Sequence, residues 1–109
     1  MAFKKYDYVL TETAESDIDE VFSYISEDLS NTIAASDLAD ELEEKLSDIC
    51  KNPVSGRIVE NEYLKRDDIR RFFVKNYIVY YVIDEDNSRV VVLRMVYGRR
   101  NQDEIIKEL

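Results

Sequence analysis

Arg94 is a lone charge inside the run Val90-Val91-Val92-Leu93-Arg94-Met95-Val96-Tyr97, which otherwise reads as an apolar strand. A charge in that setting needs a partner or an open face, so Arg94 is read either as half of a structural ion pair or as a binding group. Arg99 and Arg100 follow just past the run, and Arg70 and Arg71 sit in another strand-like run. The planar guanidinium fork holds a carboxylate or a phosphate through two parallel hydrogen bonds, which Lys does not reproduce. These five arginines are therefore the candidate residues for gripping a partner or target. Strand alternation puts Arg70 and Arg71 on opposite faces, so at most one of them points into any given site. The chain has no His and one Cys, Cys50. No cofactor or metal is expected, and Cys50 is read as a small buried hydrophobe near a helix end.

The elements that must carry these residues follow from periodicity. Tyr6-Asp7-Tyr8-Val9-Leu10 is short and β-prone, and Thr11 or Thr13 can cap a helix behind it. Ala14, Ile18, Val21, Phe22, Ile25 and Leu29 then form one apolar stripe at helical spacing. Ser30-Asn31 offers a turn and a new cap, after which Ala35, Leu38, Ala39, Leu42, Leu46 and Ile49 repeat the stripe until Asn52-Pro53 stops it. The short connection makes the two helices an antiparallel hairpin, whose stripes need a common apolar partner.

From Pro53 to Asp68 no period is sustained, which suggests a binding or active-site loop. Three β-rich runs follow, over residues 69–74, 77–84 and 89–97, separated by Lys75-Asn76 and by Glu85-Asp86-Asn87-Ser88, which suit hairpin turns. Residues 103–109 can add a short helix, stable only if docked. The expected architecture is α+β: an N-terminal strand and an antiparallel helical hairpin packed on a mainly antiparallel sheet, in the order β-α-α-β-β-β, with a short C-terminal helix. Alternation in the last strand groups Arg94 with Val90, Val92 and Val96, against Val91, Leu93, Met95 and Tyr97. The second set is larger and more apolar and is expected to face the helices. That would leave Arg94 on the open side of the sheet, with Arg99 and Arg100 beyond the strand end.

At 109 residues the chain is expected to form one domain, residues 1–109, around one modest core. A lone Cys and a polar opening sequence point to a reducing cytoplasm. No apolar run approaches the roughly 20 residues that cross a bilayer, so no membrane partner is expected. The formal charge of −9 argues against binding free nucleic acid. It is unevenly spread: Glu12 to Asp48 holds thirteen acids and one base, Lys45, whereas Ile49 to Arg100 holds eleven bases and seven acids. The acidic half reads as the solvated face of the helices, the basic half as a plausible working surface.

Specific residues carry a resemblance. The segment from Ile69-Arg70-Arg71-Phe72-Phe73-Val74 through Lys75-Asn76-Tyr77 to Ile78-Val79-Tyr80-Tyr81-Val82-Ile83 is similar to the signature of the RelE/ParE toxin superfamily. So is Val92-Leu93-Arg94-Met95-Val96-Tyr97-Gly98-Arg99-Arg100, which resembles the family's closing strand. Leu10-Thr11-Glu12-Thr13-Ala14-Glu15-Ser16-Asp17-Ile18 resembles its first helix entry, and Asn52-Pro53-Val54-Ser55-Gly56-Arg57 its post-helix turn.

The resemblance implies a growth-inhibiting toxin of a type II toxin–antitoxin pair, held in check by a cognate antitoxin. It also implies a target, DNA gyrase in the ParE-like branch or the ribosome in the messenger-RNA endonuclease branch. Metal-free RNA cleavage needs a base, cations at the phosphate and an acid. On the nuclease pattern Glu62 would stand where the general base stands, and Tyr97 in place of a terminal-strand Tyr. Two positions depart from that pattern. Ile78 occupies the place of an Arg, and Val96 that of a His. The expectation is accordingly a ParE-like gyrase inhibitor, with a ribosome-dependent ribonuclease and a degenerate antitoxin-binding module as the alternatives.

Overall fold

The computed structural model describes residues 5–109; the opening residues 1–4, on which the expectation of no leader mainly rested, lie outside that range. Strand β1 (Asp7–Leu10) leads into helix α1 (Glu12–Ser23), which runs on through a π-helical turn (Tyr24–Asp28). Thr11, not Thr13, takes the cap: its Oγ1 accepts from the Ala14 N–H at 3.1 Å and donates to the Leu93 carbonyl at 3.0 Å. One hydroxyl thus both starts the helix and ties it to the far end of the chain. Helix α2 (Thr32–Lys51) begins at Asn31, whose Oδ1 accepts from Ala34 N–H at 3.0 Å, and stops before Pro53. Its stripe Leu38, Leu42, Leu46 and Ile49 is buried, as the spacing predicts, and Cys50 lies buried beside it.

The sheet contains β2 (Arg57–Ile58), β3 (Arg70–Val74), β4 (Tyr77–Asp84) and β5 (Arg89–Tyr97), in the order β1-β5-β4-β3-β2. The three long strands form the expected meander. β1 pairs with β5 in parallel, and the other pairings are antiparallel. Left-handed backbone at Lys75 (φ 53°) and Ser88 (φ 52°) turns the two hairpins.

Three expectations need correction. The stretch from Pro53 to Asp68 is not wholly irregular: Pro53–Ser55 forms a 3-10 turn and β2 pairs with β3. Two residues are too few to show a period, which is why the strand escapes a sequence reading. The second correction concerns β5. Opposite β4 the register runs Tyr80↔Arg94 and then Tyr81↔Val92, so the strand carries a bulge at Leu93. One extra residue inverts the alternation beyond it. Val90, Val92 and Met95 face α1 and α2, while Val91, Leu93 and Val96 pack on the opposite side.

The third correction is that this opposite side is not open around β4 and β5. Helix α3 (Gln102–Lys107) buries Ile105 and Ile106 against Ile78, Tyr80, Val82 and Val96. The sheet therefore has two apolar faces, each covered. Docking supplies what a six-residue helix lacks by itself: Tyr80 Oη donates to Gln102 Oε1 at 2.7 Å, and Asn61 Nδ2 donates to Asp103 Oδ1 at 2.9 Å.

Tyr81 is fully buried on the α1–α2 side. Its hydroxyl donates to the Pro53 carbonyl at 2.6 Å and accepts from the Gly56 N–H at 3.0 Å. A side chain at position 56 would overlap the Tyr81 ring and hydroxyl. Gly56→Ala is expected to cost about 1–3 kcal/mol through overpacking, read as a lower midpoint in urea; an unchanged midpoint would mean that the Pro53–Ser55 turn moves aside freely. No helix among the described residues is long and apolar enough to cross a membrane.

Candidate functional site

Because β1 pairs only with residues 89–92, the outer part of β5 extends past it with a free edge. Helix α1 leans on that edge through Asp17, which is 8% exposed. Its Oδ2 accepts from Arg94 Nε at 2.7 Å and from the Met95 N–H at 3.1 Å, and its Oδ1 accepts from Arg94 Nη2 at 3.1 Å. The third arm of the same guanidinium donates to Glu108 Oε2 at 2.9 Å. Arg94 is thus the structural ion-pair partner and not an open-face residue: its side chain is 12% exposed, and the paired carboxylates hold its pKa above the ordinary arginine value. The bulge leaves Arg94 on the α3 side, opposite Tyr80 at the free edge of β5, where its guanidinium reaches both Asp17 and Glu108. Asp17 was missed by sequence reasoning, although a signal exists: it sits three residues after Ala14 and four before Val21, on the core-facing stripe of α1.

Above this pair a cleft of about 510 Å³ opens between α1 and the end of the β4–β5 hairpin, lined by Glu20, Val21, Tyr24, Tyr77, Tyr97 and Arg100. Tyr77 and Tyr97 are cross-strand partners whose ring centroids stand 5.8 Å apart at 57°, a favourable tilted arrangement. Burial, reinforced by the neighbouring Tyr97 and Tyr24 phenols, raises the Tyr77 pKa, so its hydroxyl stays a neutral donor. A second groove of about 340 Å³ shares Tyr24 and Tyr77 and continues past Ile25, Leu29 and Ala34 to Lys75. Tyr24 and Leu29 are more than half exposed, which leaves an apolar surface flanked by Arg100, Lys75 and the acids Glu20 and Asp37.

The other sequence-predicted residues scatter. Arg70 Nη1 donates to the carbonyls of Val54 at 3.0 Å and Gly56 at 2.8 Å, so it staples the post-helix turn. Arg71 lies on the other face, as alternation requires. Arg99 is exposed beside the cleft-lining Arg100. Glu62 is exposed in the loop after β2, whose neighbours Asn61 and Tyr63 engage Asp103 and Lys107 of α3. Tyr97 belongs to the α1 side of the sheet. Glu62 and Tyr97 are therefore on opposite faces, and the structure does not bring them together.

Residues 8–102 match the family model of the ParE toxin of the type II toxin-antitoxin system, parDE. The chain belongs to the ParE toxin family. No curated protein matches the sequence. Among solved structures, the chromosomal ParDE toxin–antitoxin system of P. aeruginosa superposes with a TM-score of 0.66 at 13% identity, over 85% of this chain and 96% of that one. The RelBE2 toxin–antitoxin complex of Mycobacterium tuberculosis gives 0.63 at 20% identity, over 88% and 94%. A variant of the E. coli toxin RelE in the free state gives 0.61 at 15%, over 96% of each. This ParE-family chain is thus similar in fold to toxins of both the ParE and RelE kinds, at identities where backbone architecture is shared and side-chain chemistry is not implied. The mixed sheet, the helical hairpin and the C-terminal helix are the RelE/ParE-like architecture.

Proposed function

We propose that this ParE-family toxin inhibits growth by binding DNA gyrase without performing chemistry itself, and that a cognate antitoxin silences it by filling the tyrosine-lined cleft. One observation carries the first part. The two groups a metal-free ribonuclease would need here, Glu62 and Tyr97, stand on opposite faces of the sheet. Ile78 and Val96, where the nuclease pattern has an Arg and a His, are 5% and 2% exposed and belong to the apolar core under α3. Buried aliphatic side chains neither neutralise a phosphate nor move a proton. Three tyrosines at a half-open cleft suit a protein partner, since their rings give large contact area and their hydroxyls keep a polar end. The ParDE and RelBE2 structures are of toxin–antitoxin systems, which supports an antitoxin for this chain.

The test sets two assays side by side on purified toxin. Gyrase supercoiling is expected to be inhibited, with relief on adding the antitoxin encoded by the neighbouring reading frame, while messenger RNA on translating ribosomes stays intact. Cleavage of that RNA would overturn the reading in favour of the nuclease branch. Silence in both assays, together with tight antitoxin binding, would make the protein a degenerate antitoxin-binding module.

A further inference from the structure

On the far side of the sheet from the tyrosine cleft, β2 sets Arg57 directly opposite Arg71 of β3. Cross-strand partners project to the same face with Cβ atoms roughly 5 Å apart, where like charges repel. None of the carboxylates of the described residues pairs with either guanidinium. Arg71 Nε is buried and has no hydrogen-bond partner. Arg71 as a whole is half-buried, but a buried N–H without an acceptor is costly, and native structures seldom keep one unless something else fills the gap. Below it, burial raises the pKa of the Tyr80 hydroxyl against the charge and the hydrogen bond of the Arg71 guanidinium, so the phenol stays neutral and no phenolate relieves the charge. Two residues along, on the same face, Phe73 is 55% exposed, with the Arg71 guanidinium carbon 5.5 Å from its ring centroid. The corner therefore holds two guanidiniums without a carboxylate partner and one half-exposed aromatic ring.

We propose that Arg57 and Arg71 form an anion clamp that receives a carboxylate side chain from an acidic segment of a partner protein, with a neighbouring apolar side chain of that segment resting on Phe73. A carboxylate has two oxygens for two forks and relieves the repulsion between them. A nucleic-acid phosphate offers the same oxygens but brings a polyanion, whose affinity depends on many cationic contacts. The formal charge of −9 and the thirteen acids between Glu12 and Asp48 oppose a polyanion more strongly than a single inserted carboxylate. The clamp lies on the α3 side of the sheet and the cleft on the α1 side, so it stands whether or not gyrase is the target.

The Nε–H resonances of the arginines in the intact toxin report on the clamp by nitrogen–proton NMR. The probe is an end-capped peptide alternating Leu and Glu, with inorganic phosphate and a single-stranded DNA oligonucleotide of the same charge as separate arms. The peptide is expected to shift the Arg71 resonance saturably, and Arg57→Gln and Arg71→Gln to weaken that binding at least tenfold. Arg57 is exposed, so Arg57→Gln keeps the fold and decides the matter even if Arg71→Gln does not. Tighter saturation by the oligonucleotide or by phosphate would reassign the clamp to phosphate. A peptide that leaves the Arg71 resonance unmoved, or binding that survives Arg57→Gln unchanged, would overturn it.

Discussion

Arg94→Ala lowers the stability of the folded toxin by about 3 kcal/mol, because it leaves the Asp17 carboxylate desolvated without its counter-ion. The two side chains are only 12% and 10% exposed, so solvent screens the loss weakly. A surface reading of Arg94 expects no more than about 1 kcal/mol, the usual range for a solvent-facing residue. Urea unfolding separates the two, and two controls sharpen it. Glu108 is 68% exposed, so Glu108→Ala should cost less than about 1 kcal/mol although it removes a contact to the same guanidinium. Removing Asp17 and Arg94 together should cost clearly less than the sum of the single substitutions, since the double variant buries no unpaired charge. Any loss of toxicity in Arg94→Ala then comes from a smaller folded fraction and recovers on cooling toward the temperature of maximum stability. A cost within 1 kcal/mol with toxicity abolished would return Arg94 to the role of a contact residue.

The cleft carries the second large effect. Ala at both Tyr24 and Tyr97 is expected to weaken antitoxin binding by at least 2 kcal/mol, about thirtyfold, as removal of aromatic anchors from an interface centre does. Both rings are substantially exposed in the free protein, 52% and 40%, so the fold should lose little. Titration calorimetry against the antitoxin, with thermal unfolding of the free variant as control, reads both quantities. Undiminished affinity in a well-folded double variant would move the antitoxin off this cleft. Tyr77 is a poorer choice for this test, because its ring also packs against the main core.

Much of this architecture is legible in the sequence. Helical spacing gives both stripes, Asn31 and the Asn52-Pro53 pair mark the ends of α2, and the runs over residues 77–84 and 89–97 coincide with β4 and β5. What escapes has a common physical cause. The bulge at Leu93 is one extra residue in a nine-residue strand, with no Gly or Pro to mark it, yet it changes which side chains meet the helices. A period-two argument carried through it misplaces Val90 to Leu93, whereas Arg94 keeps its expected face and is misread because α3 covers that face and its guanidinium reaches Asp17. The second apolar face was hidden because Tyr80, Val82 and Val96 read equally well as packing partners for one helical layer or for two. The site suffers more than the fold. Arg100 and Tyr97 come together with Tyr24 only because the helical hairpin leans against the end of β5, and no local pattern encodes that approach. Arg70, chosen for its charge, spends its hydrogen bonds on two carbonyls of a turn.

The parallel pairing of β1 with β5 bears on how the toxin comes into being on the ribosome. Asp7 aligns with Arg89, and Leu10 with Val92, so β1 waits for a strand made long after it. The Asp17–Arg94 pair and the Thr11–Leu93 bond span 77 and 82 positions and close the same circuit. Contacts so distant in sequence must overcome loop-closure entropy before they contribute, which raises contact order and slows the final step. While translation continues the helical hairpin can form, but the free end of β5, with Tyr97 and Arg100, has not yet met α1. The cleft therefore matures only once β5 has joined α1, giving a partner that grips extended chain a window to capture the nascent toxin before its working surface exists.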